Sequence, residues 1–125
     1  MPNLSMSASP MREPLPGNHS GAAILDRMSQ VTHVVLVAWK NGRASAVEES
    51  IRPAIRTFGE TIPGIVGIVE GHSSSPEDLE DGLEYGFVVT FESPQARDAY
   101  LIDPSHRVVA DAIGDNAQRI VVFDI

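Results

Sequence analysis

A chain of 125 residues, 42% apolar and without cysteine, is the size of one globular domain and rules out disulfide and thiolate chemistry. Its formal charge of -8 repels phosphate backbones and acidic lipid surfaces, so neither nucleic acid nor membrane is expected as a partner. No apolar run reaches the roughly 18 residues that a bilayer span needs, no basic-then-apolar leader opens the chain, and the lack of thiols fits a reducing, cytoplasmic setting.

Residues 1–30 read as a flexible or extended arm, and residues 31–125 as the folded domain. The opening "MPNLSMSASPMREPLPGNHSG" has several prolines and no hydrophobic period. A helical turn or two is expected over "SGAAILDRMSQ", with Ser20 as N-cap, and His19 reads as a solvated side chain. From Thr32 the pattern sharpens. "THVVLVAWK" is β-branched and aromatic, the composition of a central strand covered on both faces. "SAVEESIRPAIRTFGE" places Val47, Ile51, Ala54, Ile55 and Phe58 on one helical face. Ser45 and Glu48 have capping-box spacing, Pro53 predicts a kink near Glu49 or Ser50, and Gly59 is the expected stop.

"IPGIVGIVEGHS" reads as a second strand whose glycines suggest a bulge or a close backbone approach. "SSPEDLEDGLE" is an acidic loop whose carboxylate and glycine spacing does not fit a calcium loop. "YGFVVTF" is the third strand, with Tyr85, Phe87, Val89 and Phe91 on one face. "SPQARDAYLI" and "DPSHRVVADAIG" are two helices, each opened by a capping residue and a proline, Ser93-Pro94 and Asp103-Pro104; Gly114 is the expected end of the second. "RIVVFDI" closes as a fourth strand. The order β-α-β-β-α-β, with right-handed crossovers, predicts an α+β ferredoxin-like sandwich with a four-stranded antiparallel sheet. Helices cover one face of such a sheet. The face carrying His33, Val35, Val37 and Trp39, with the third-strand aromatics, is expected to be the other one. It would be buried in a homodimer, sheet against sheet, as a dimeric α/β barrel.

Over Thr32 to Ile125 the chain resembles the stress-responsive dimeric α/β-barrel (Dabb) family. The matching pieces are "THVVLVAWK", "ETIPGIVGIVEG", "YGFVVTFESPQARDAYLIDPSHRVV" and "IVVFDI". The family includes the plant polyketide cyclase that forms olivetolic acid by aldol closure of a linear β-polyketide thioester, without metal or cofactor. The resemblance implies that Tyr100 and His106 are the working acid–base pair and that His33 lines the pocket. It also sets Tyr85 where that cyclase has a pocket histidine, and Asp103 where many members have histidine. Val35, Val37, Phe87 and Val109 are the expected apolar lining.

Tyr100 and His106 would diverge by about 240° on one continuous helix. Asp103-Pro104 interrupts that helix, because proline disfavours helical backbone at the residue before it, and the turn then lets both rings face one cavity. Asp103 is expected to cap the amides of Ser105 or His106. The plainer reading stands beside this one: His106 fills a helix–sheet seam and Tyr100 is a core ring. Trp39 and Phe87 read as core, His72 as surface, and Asp124 as a group whose open partner is His33. Two functions follow. One is a cofactor-free cyclase or lyase acting on a β-keto or polyketide-like intermediate. The alternative is a non-catalytic, stress-responsive or small-ligand-binding dimer. No motif supports a heme or flavin monooxygenase of the wider barrel group.

Overall fold

The computed structural model describes residues 29–125, and Val31–Ile125 forms a compact unit. The expected N-terminal arm, with its helical turn and His19, lies outside the described residues, apart from its last two positions. Strand β1 (Val31–Trp39) is followed by a segmented helix: α1 (Ala44–Ala46), a π-helical turn (Val47–Ile51), α2 (Arg52–Arg56) and α3 (Phe58–Thr61). Then come β2 (Ile65–His72), β3 (Tyr85–Phe91), α4 (Pro94–Leu101), α5 (Pro104–Asn116) and β4 (Ala117–Asp124). The sheet order is β2-β3-β1-β4, and every neighbouring pair is antiparallel. This is the expected ferredoxin-like fold.

The kink expected at Pro53 takes the form of the π-helical turn. Proline has no N–H to donate back to Glu49, so the chain widens by one residue per turn just before it. The widening keeps Val47, Ile51, Ile55 and Phe58 buried on one face. Two expected stops are overrun. Gly59 lies inside α3, which ends at Thr61, with Ile62 extended ahead of Pro63. Gly114 lies inside α5, which runs on to Asn116. The Ser45–Glu48 capping box does not form either. Arg43 is the N-cap without a side-chain bond, and Glu48 instead accepts from Arg52 at 2.8 Å. The glycine-rich second strand carries its bulge, a register shift between Ile65 and Gly67.

One expectation about the sheet is reversed. Val31, Val35 and Val37 of β1 and Tyr85, Phe87, Val89 and Phe91 of β3 are buried beneath the helices, in one cluster with Ile51, Ile55, Phe58, Tyr100, Val109 and Ile113, and His33 is buried with them. The aromatic face is therefore the inner face. The helices needed the bulkier surface because a helix layer stands well off a sheet and its seam must be filled. The outer face is aliphatic apart from Phe123: the register aligns Val34 with Val88 and Phe123, Leu36 with Val121, and Val69 with Val88. Among the described residues nothing covers that face, with Val69 72% and Phe123 63% exposed. No helix among the described residues is long and apolar enough to cross a membrane.

Candidate active site

Helix α4 begins where the Ser93 hydroxyl accepts from the Ala96 amide at 3.1 Å. It ends at Leu101, just after Tyr100. Asp103 then takes an extended conformation ahead of Pro104, and its carboxylate caps α5 by accepting from the Ser105 amide at 2.8 Å. Tyr100 closes one helix and His106 opens the next. The break brings their rings together, with centroids 4.1 Å apart and planes inclined by 40°.

The surroundings are aromatic. Phe91 lies 4.9 Å from Tyr100, ring centre to ring centre, and His33 and Phe58 both lie at 5.7 Å, edge-on. Phe58 also stands 6.2 Å from His106. Tyr100 Oη and His106 Nδ1 are both buried without a hydrogen-bond partner among the described residues. A second polar group flanks this pair. His33, itself buried, binds Asp124 Oδ1 through Nδ1 at 2.6 Å. Asp124 Oδ2 accepts from Arg97 Nη1, also at 2.6 Å. The register explains the first contact, since His33 on β1 lies directly opposite Asp124 on β4.

Burial sets the protonation states. It lowers the pKa of His106, with His33 and Arg107 acting in the same sense and the Leu101 backbone and Asp103 opposing them. The imidazole is therefore held neutral. Burial, reinforced by the charge of Asp124, raises the Tyr100 hydroxyl, which keeps its proton. For Asp124 burial acts upward, but the hydrogen bonds from His33 and Arg97 outweigh it and the carboxylate stays ionised. The cluster thus holds a neutral imidazole, a protonated hydroxyl and a carboxylate bound to His33.

The structure gathers Tyr100, His106 and His33, and leaves Tyr85 elsewhere. Tyr85 lies across from Val37, and its ring neighbours are Trp39, His72 and Phe87. Its hydroxyl donates to Glu70 at 2.8 Å, and Arg52 and Arg56 bind the same carboxylate. Tyr85 is committed to that structural knot, with Glu70 held down at a pKa of about 2, the Arg52 bond being the largest cause. Val35, Val37, Phe87 and Val109 are all packed in the core beneath the helices. His72 is exposed and pairs with Glu48 at 3.2 Å. An open cavity of about 620 Å³ lies on a different part of the surface, lined by Trp39, Asn41, His72, Asp81 and Arg119 among others, and by neither member of the pair. Two participants were missed from the sequence: Phe58, read only as a core helix position, and Arg97. The available signal for Arg97 was its place three residues before Tyr100, which sets both on one helical face.

The solved structures most similar to this fold include a hydroxynitrile lyase from Passiflora edulis (20% identity, TM-score 0.71, covering 78% of this chain and 92% of that one). Another is a dimeric ferredoxin-like protein of unknown function from Jannaschia sp. CCS1 (21% identity, TM-score 0.70, covering 77% and 97%). Among curated proteins, olivetolic acid cyclase from Cannabis sativa is 23% identical over 94 residues, 75% of this chain and 93% of the cyclase. The model of the stress responsive A/B barrel domain matches residues 31–125. From its β1 histidine to its closing Phe-Asp strand, the chain belongs to the stress responsive A/B barrel domain family.

Proposed function

We propose that this protein is a cofactor-free, homodimeric barrel enzyme that cyclises a β-keto, polyketide-like intermediate, with His106 as general base and Tyr100 as oxyanion donor. One observation carries the reading. The Tyr100 and His106 rings are neighbours, and Tyr100 Oη and His106 Nδ1 are each buried with no hydrogen-bond partner among the described residues. An unmet buried polar atom costs about 1–3 kcal/mol, and two on neighbouring rings support the reading that a ligand completes their bonding. The distant likeness to olivetolic acid cyclase agrees with the choice of chemistry.

In the proposed reaction, His106 removes a proton from a methylene flanked by two carbonyls. The resulting enolate carbon attacks a ketone carbon farther along the same chain. The new C–C bond forms as the ketone π pair moves onto oxygen. Tyr100, too weak an acid to surrender its proton, donates a hydrogen bond to that oxyanion. The imidazolium then returns its proton to the oxygen, which leaves a cyclic β-hydroxy ketone and the original base. The homodimer is supported by the open aliphatic sheet face and by relatives described as dimeric. A cytoplasmic setting is part of the proposal and rests on the absence of cysteine.

The test is turnover of a linear β-polyketide thioester by the full chain, followed by mass spectrometry. Cyclised product should form faster than in buffer. His106→Ala should lower the rate by about a hundredfold or more, the scale of a lost general base. Tyr100→Phe should also lower it, and it should leave thermal stability unchanged or slightly higher, because the hydroxyl it deletes has no protein partner. If the wild-type chain gives no acceleration over buffer, the enzyme reading fails and the binding role takes its place.

A further inference from the structure

Arg97 is held at both ends of its guanidinium. Nε donates to Asp98 at 2.8 Å, on the same helix, and Nη1 donates to Asp124 at 2.6 Å, on β4. Asp124 in turn has one oxygen on Arg97 and the other on His33 Nδ1. A carboxylate can only accept, so the proton in the His33 contact sits on Nδ1. Arg97 cannot lose its own proton, so the carboxylate between the two always faces a donor on the Arg97 side. The ring at the end of this chain is buried, stands edge-on to Tyr100 at 5.7 Å, and is 6.1 Å from Phe91.

We infer that Arg97 is a positioning residue: through Asp124 it locks the His33 ring, edge-on to Tyr100, as the Nδ1–H tautomer. With Nδ1 of His33 committed to Asp124, the ring beside Tyr100 keeps one orientation whatever the ligand does. This step rests on the proposed acid–base reading, but its test does not use turnover.

The test is a long-range proton–nitrogen spectrum of the ¹⁵N-labelled full chain at neutral pH, with the His33 signals assigned by their loss in His33→Gln. Wild type should show a protonated Nδ1 and an unprotonated Nε2. Arg97→Met should release the ring into a mixture of tautomers, while Arg97→Lys, which keeps a donor to Asp124, should retain the wild-type pattern. Arg97→Gln replaces Arg97→Met if the latter no longer melts cooperatively. A wild-type His33 protonated at Nε2 would overturn the inference, and so would an unchanged Nδ1–H pattern in the variants that remove the charge. Either result leaves the cyclisation test standing. A failed cyclisation with the locked tautomer intact sinks only the enzyme reading.

Discussion

His106 sits in the first turn of α5, and what surrounds it decides how it behaves with pH. Its pKa is pushed below the ordinary 6.5, chiefly by burial. A histidine shifted in this direction is neutral over more of the acid range. The catalytically useful form should therefore persist below pH 6.5, and the acid limb of kcat/KM should fall below that value. Stability carries the same sign. The folded state binds fewer protons than the unfolded one in this window, so stability is complete above the unfolded value and declines as pH falls through the folded one. A pH–rate profile with its acid limb above pH 6.5 would contradict the assignment of His106 as the base. At this scale the sequence was informative about the pair, because Asp103-Pro104 must break a helix and so must re-aim the rings on either side. It offered His33 as a partner for Asp124 and left Arg97 out. The Arg97 contact needs α4 to lie close to the end of β4, which is not a local property.

Elements were legible where a residue's chemistry permits one outcome. Proline had to disturb the first helix, and Ser93 and Asp103 had to cap the helices that follow them. They were less legible where a residue merely permits an ending. Gly59 and Gly114 tolerate a helix stop, but packing carries α3 and α5 past them to Thr61 and Asn116. Glu48 had the spacing of a capping box and was drawn instead to Arg52 and His72. Gly64 is the opposite case, a position with no freedom. It has a φ of +88°, and a Cβ there would come within 2.6 Å of Ala96 Cβ on α4. Its carbonyl also accepts from the Glu92 amide at 2.9 Å, which ties the start of β2 to the end of β3. Gly64→Ala should therefore cost roughly 2 kcal/mol or more, from backbone strain and overpacking together. Urea unfolding measures this, and a loss below about 0.5 kcal/mol would show that α4 yields easily at that point.

The whole molecule turns on which sheet face is left open. The sequence showed that both faces of the sheet carry bulk, and it correctly implied that helices alone would not cover them. It misassigned the faces, because period-2 alternation separates two faces without saying which one the helices choose. The open face is the aliphatic one, with Val69 and Phe123 largely exposed. A contiguous patch of this kind is unusual on a monomer. Sedimentation of the full chain at micromolar concentration should give twice the 13.5 kDa chain mass. Phe123→Asp should shift the population toward monomer. A wild-type chain that sediments at the monomer mass would remove the dimer from the proposal, though not the site, which lies on the other face.

The most direct test of the acid–base pair is a crystal structure of the protein with a non-reactive linear β-diketone. A ligand oxygen should lie about 2.6–3.2 Å from Tyr100 Oη, and the carbon between the carbonyls should face His106 Nδ1. A ligand seated away from both atoms, with Tyr100 and His106 still unpartnered, would contradict the central claim.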